Sequence, residues 1–180
     1  MGNLSSNTFY RTWLEVVNTN KKELESKWGS NIDYTSFIIH EENSIICQIA
    51  EKLKLLCYNS DYYLLDSVLY NKEDLVPEIP KGKVWLRDIQ VAFEHENTFR
   101  SGLYQEVAHL TIINAKLKVL VSYPEDTPHE ELEYLHNIIS NTRHAADLSK
   151  NESLLLVFGY KNGFAWEGFV FTRDKWKEIT

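Results

Sequence analysis

The run Leu117-Lys118-Val119-Leu120-Val121-Ser122-Tyr123, stopped by Pro124, is short and apolar enough to be a buried strand. A strand of that kind needs cover on both faces, and the flanking sequence offers helices to supply it. Upstream, residues Gly102 to Lys116 bring Leu103, Val107, Leu110 and Ile113 into helical phase. Downstream, Thr127-Pro128-His129-Glu130 reads as a capping box with proline at the first helical position. The helix it opens is predicted to run through about Ala145, with Leu132, Leu135 and Ile139 on its core side. Two more strands follow, Ser153 to Tyr160 and Phe164 to Thr172, joined across Lys161-Asn162-Gly163. Asn-Gly at that point is a hairpin signal.

The first half repeats the alternation. Thr8 to Trp28 reads as helical, with a break near Asn18-Thr19-Asn20 and apolar positions at Phe9, Trp13, Val16 and Val17. A second helix is predicted from about Glu42 to Leu56, where Ile45, Ile49, Leu53 and Leu56 form one stripe. Tyr62 to Tyr70 (YYLLDSVLY) has strand character, and Asn71 to Gly82, with Pro77 and Pro80, is a loop. Val84 to Glu96 reads as a longer strand. Its alternation sends Trp85, Ile89, Val91 and Phe93 to one face and Ala92, Glu94 and Glu96 to the other. The expected fold is α/β, a mixed central sheet flanked by helices, with residues 1–180 forming a single domain.

Net charge is −7, which weighs against a nucleic-acid partner, because phosphate binding normally draws on a basic excess. A local basic stripe or bound divalent cations would offset it. Lys81, Lys83, Arg87, Arg100, Lys116 and Lys118 are the candidate basic groups, although a scatter of surface charge is the plainer reading. Cys47 and Cys57 form neither a disulfide framework nor a zinc pattern, so reduced thiols and a cytoplasmic location are expected. No stretch reaches transmembrane length, and no membrane association is expected. Residues Met1 to Ser6 fit the loose N-myristoylation pattern, but a disordered start is the plainer reading.

Three acids stand out against this background. Burying an unpaired carboxylate costs several kcal/mol or shifts its pKa, so sequences avoid it unless something compensates. Asp66 follows four apolar residues in its strand, and Glu94 and Glu96 end a strand whose other residues are largely apolar. Such acids turn out to solvent, pair with a cation, or bind a metal. Two acids at i, i+2 and one on the neighbouring strand can converge on a hard ion such as Mg²⁺ or Mn²⁺. Ordinary solvated strand ends would also account for them. His95 is expected on the opposite face, beside Phe93. Glu106 and His109, three apart on the predicted helix, can share a face near the acids or form a surface pair. His129, His136 and His144 are expected along one solvated helix face.

Helix, strand with Asp66, strand with Glu94-His95-Glu96, helix, then LKVLVSY resembles the restriction-endonuclease-like PD-(D/E)xK nuclease superfamily. The likeness runs over about Glu42 to Tyr123, within a nuclease-like core of about 42–172. It implies metal-dependent phosphodiester hydrolysis on nucleic acid. Asp66 and Glu94 would be ligands to Mg²⁺ or Mn²⁺, Glu96 would stand at the third catalytic position, and Glu42 would be an accessory acid. Position 96 departs from the pattern, since the family usually has Lys there, and no Pro precedes Asp66. The alternative is a non-catalytic binding or regulatory module on the same fold. A homodimer is the expected form if a duplex is cut.

Overall fold

The computed structural model describes residues 4–80 and 82–180, with all of these side chains except those of Arg100 and Ser101. Lys81, the Arg100 side chain and Met1 to Asn3 of the acylation pattern therefore lie outside the described residues. The frame is a seven-stranded mixed sheet in chain order, β1 (Leu56–Tyr58), β2 (Ser67–Tyr70), β3 (Val91–Glu96), β4 (Leu117–Ser122), β5 (Leu154–Tyr160), β6 (Ala165–Phe171) and β7 (Trp176–Ile179). Its centre, β3-β4-β5, is parallel, and every other pairing is antiparallel. Parallel neighbours need crossovers, here α5 (Phe99–Ile112) and the pair α6 (His129–Ser140) and α7 (Ala145–Lys150).

Side-chain alternation splits the sheet between two cores. Leu69, Val91, Phe93, Val119, Val121 and Val157 pack with Trp13 and Ile49. These come from α1 (Ser6–Thr19) and α4 (Ile45–Leu53). Between them lie α2 (Lys21–Lys27), α3 (Asn31–Thr35) and a π-helical turn, Ser36–His40. On the other face Val68, Ala92, Leu120, Leu156 and Phe158 meet Val107, Ile139 and Leu148 of α5, α6 and α7. The N-terminal helix does break at Asn20, whose N–H bonds back to Val16. No helix of the described residues is long and apolar enough to cross a membrane.

Several boundaries differ from expectation for local reasons. Ser44 caps α4, accepting from Cys47 N at 3.4 Å, so the helix starts at Ile45. Glu42, expected inside it, is exposed in the turn before it. Lys54 ends α4 in the left-handed conformation (φ 59), which frees Leu56 to begin β1. Asp61 Oδ1 accepts from Leu64 N at 3.0 Å, while Tyr62 and Leu65 exchange backbone bonds of 2.8 and 3.1 Å. That tight turn, with Tyr63 (φ 51) and Leu64 (φ 74) at its tip, replaces the first half of the predicted strand. Leu86 forms an isolated bridge with Leu75 instead of continuing into the strand, so β3 is only six residues long. The predicted helix from His129 stops at Ser140. Pro128 occupies its N-cap, so the Thr127 box does not form.

Cys47 of α4 and Cys57 of β1 are both half-buried, with their Sγ atoms 2.8 Å apart. The contact with Cys57, aided by the Ser44 hydroxyl and opposed by burial, brings the Cys47 thiol down to about 7. The same contact, with burial, pushes Cys57 up. Thiolate is the nucleophile, so iodoacetamide at pH 7.5 is expected to alkylate Cys47 well before Cys57. Peptide mass mapping over a time course would show it. Equal rates at the two positions would contradict the assignment.

Candidate functional site

Glu94 and Asp66 meet across the β2–β3 pairing. The register Ser67 opposite Phe93 carries one step further to set Asp66 opposite Glu94. Each carboxylate takes an amide from the other strand. Asp66 N donates to Glu94 Oε2 at 3.1 Å, and His95 N donates to Asp66 Oδ2 at 2.8 Å. Alternation places Glu94 on the same face as Ala92, beneath α5. It is 1% exposed there, and its Oε1 has no hydrogen-bond partner.

α5 supplies what faces that oxygen. Leu103, Val107 and Leu110 fix the helix on the sheet, and the i, i+3 pair Glu106 and His109 overhangs β3. His109 Nδ1 lies 3.8 Å from Glu94 Oε1 and 3.3 Å from Glu106 Oε2. It too is buried without a hydrogen-bond partner. One ligand atom from each of Glu94, Glu106 and His109 lies within 4.8 Å of the other two, a group that can hold a metal ion. Asp66 is outside that three-membered group but adjoins it through the Glu94 hydrogen bond.

Electrostatics follows from the burial. Desolvation, then the charge of Asp66 and that of Glu106, push the Glu94 carboxyl up to about 9. Burial also raises Asp66, against the opposing hydrogen bond from His95 N. Three acids and one imidazole packed this closely favour either protons or a cation.

The remaining sequence candidates separate from this cluster. Glu96 shares the face but not the site. Its Oε1 accepts from Thr98 N, and its carboxylate lies against Gly102, where a Cβ would collide with it. Thr98 is the N-cap of α5, so a helix N-terminus has captured the acid. Glu42 is not part of the group. His95 does point the other way. It is buried among Tyr34 and Tyr123, bonded to Tyr123 Oη at 2.8 Å, and lowered to about 3 by burial. Lys118, a candidate phosphate contact, is instead buried with its Nζ on Ala115 O at 3.0 Å. Lys83, Arg87 and Lys116 are exposed. The three helix histidines do not form one solvated face. His136 is half-buried and bonded to Thr172 O, and His144 stands at the cap of α7.

From sequence, Glu106 and His109 can share a face near the acids, but a surface pair is the plainer reading, and the structure brings them over Glu94 instead. The i, i+3 spacing was the available signal; the turn of α5 toward β3 decides it. No family model matches the chain, and no curated protein matches its sequence.

Proposed function

We propose that this protein is a metal-dependent phosphodiesterase acting on nucleic acid, of the PD-(D/E)xK type. The observation that carries the reading is Glu94: a buried carboxylate with an unpartnered oxygen, beside Asp66 and faced by Glu106 and His109. Unpaired buried acids are too costly to keep without a compensating ion or a functional need. The order α4, β2 with Asp66 at its head, β3 with Glu94, α5 and β4 supports the family likeness.

Asp66 and Glu94 would hold Mg²⁺ or Mn²⁺, with Glu106 and His109 in reach. When bound, such an ion supplies a Lewis acid for a phosphate oxygen and acidifies a water. Glu94 must be ionised to serve, which the cation itself would favour. Glu96 would work indirectly, by fixing the start of α5 and therefore the height of Glu106 and His109 above β3. Exposed Lys83, Arg87 and Lys116 are the available phosphate contacts.

The test is hydrolysis of single- and double-stranded DNA and RNA in Mg²⁺ or Mn²⁺. Asp66→Ala and Glu94→Ala are each expected to lose at least about a hundredfold in rate, the scale of removing one charge-stabilising group. Equal activity in all three proteins, or hydrolysis unaffected by chelator, would overturn the reading. Binding without cleavage would indicate a binding module on the same fold.

A further inference from the structure

We propose that the cation is bound through an imidazole: His109, with Glu94 and Glu106, forms a mixed nitrogen–oxygen site that selects a first-row transition ion over Mg²⁺. This rests on the reading that the cluster binds a metal, but not on the reaction it performs.

The separations suit ligands that share one ion. Around a divalent cation with ligands at about 2.1–2.3 Å, neighbouring ligand atoms stand roughly 3–4.5 Å apart. The 3.3 and 3.8 Å separations from His109 Nδ1 to the two carboxylates fall in that range. Glu94 Oε1 and His109 Nδ1 are both buried, both lack a hydrogen-bond partner, and lie 3.8 Å apart in the shared space. A neutral imidazole offers Nδ1 as a ligand while Nε2 keeps the proton.

The chemistry of the set decides the ion. Mg²⁺ takes oxygen ligands, dehydrates reluctantly and gains little from imidazole. Imidazole raises affinity along the transition series, and Mn²⁺ accepts carboxylate and nitrogen together. The residue expected at the third position, Glu96, is held at the head of α5. The group that completes the site therefore comes from the helix, one turn past Glu106, and not from the strand.

Isothermal titration with Mn²⁺ and, separately, Mg²⁺ tests this on the full chain. Wild type is expected to bind Mn²⁺ at least tenfold more tightly than Mg²⁺. His109→Ala and His109→Gln are both expected to lose at least tenfold in Mn²⁺ affinity with little change for Mg²⁺, collapsing the preference. Electron spin-echo spectra of the Mn²⁺ form should show a directly bound nitrogen that vanishes in both variants. His109 is only partly buried, and circular dichroism checks that each variant is folded. No Mn²⁺ binding, an unchanged Mn²⁺ affinity in the folded variants, or a nitrogen signal that survives them would overturn the proposal. Loss of Mn²⁺ binding in the variants of a protein that hydrolyses nothing would sink the nuclease reading alone. Cleavage in sub-saturating Mn²⁺ that is abolished by Asp66→Ala but indifferent to His109→Ala would sink this one alone.

Discussion

Trp13→Ala is expected to destabilise the protein by about 3–5 kcal/mol, the cost of emptying a large aromatic site in a packed core. Trp13 is 0% exposed. Its ring stacks on Phe93 at 6.2 Å and meets Trp166 edge-on at 5.3 Å. It thereby joins α1 to β3 and β6, elements far apart in the chain. Phe93 is also the residue before Glu94, so the cavity would open directly behind the strand that carries the site. Trp13→Phe separates packing from polarity. The indole Nε1 is buried without a hydrogen-bond partner, a cost that phenylalanine removes while keeping the ring contacts. The Phe variant is therefore expected to lose less than about 1.5 kcal/mol, the scale of a volume-tolerant aromatic swap. Urea unfolding with matched slopes measures both. Equal losses in the two variants would show that the ring contacts are not what Trp13 contributes.

The legible parts of the fold are those where one local signal dominates. β4 and β5 are largely apolar runs, and the β5–β6 hairpin is announced by Asn162-Gly163, with Gly163 at φ 82 in the left-handed region that its turn requires. What stayed hidden is decided by competition between signals. Leu56 fits the helical stripe of α4, and only the left-handed Lys54 takes it out of phase and into β1. Tyr63 and Leu64 look like strand interior, yet they are 73% and 70% exposed at a turn tip, because Asp61 closes the turn beneath them. β7, with exposed Lys177 and Glu178 between Trp176 and Ile179, carries too little apolar character to stand out. The same holds at the site. Asp66 and Glu94 could be paired from alternation and strand order. Glu96 obeyed the same alternation but met a helix N-terminus, and nothing local in its strand marks that capture.

In metal-free solution at pH 7, Glu94→Gln is expected to stabilise the protein by about 3 kcal/mol. The folded carboxyl is raised to about 9 from an ordinary 4.5, chiefly by burial and then by the charge of Asp66. A group with a raised folded pKa contributes stability that is complete below its unfolded value. That contribution is lost as pH climbs toward the folded value, because the unfolded chain releases the proton first. Wild type should therefore weaken steadily between about pH 4.5 and 9. The amide variant, which mimics the neutral acid at every pH, should lack this slope. The two proteins should agree near pH 4 and diverge above it. Mn²⁺ at a thousand times its Kd should reverse the order at pH 7, since a ligand bound only by the folded state then adds about 4.1 kcal/mol. The amide offers that ion no charge. Thermal melts from pH 4 to 9, in chelator and in Mn²⁺, measure all of this. A variant that followed the wild-type pH slope in chelator would mean that Glu94 is not the buried proton acceptor. A variant that gained as much from Mn²⁺ as wild type would mean that the ion does not need its charge.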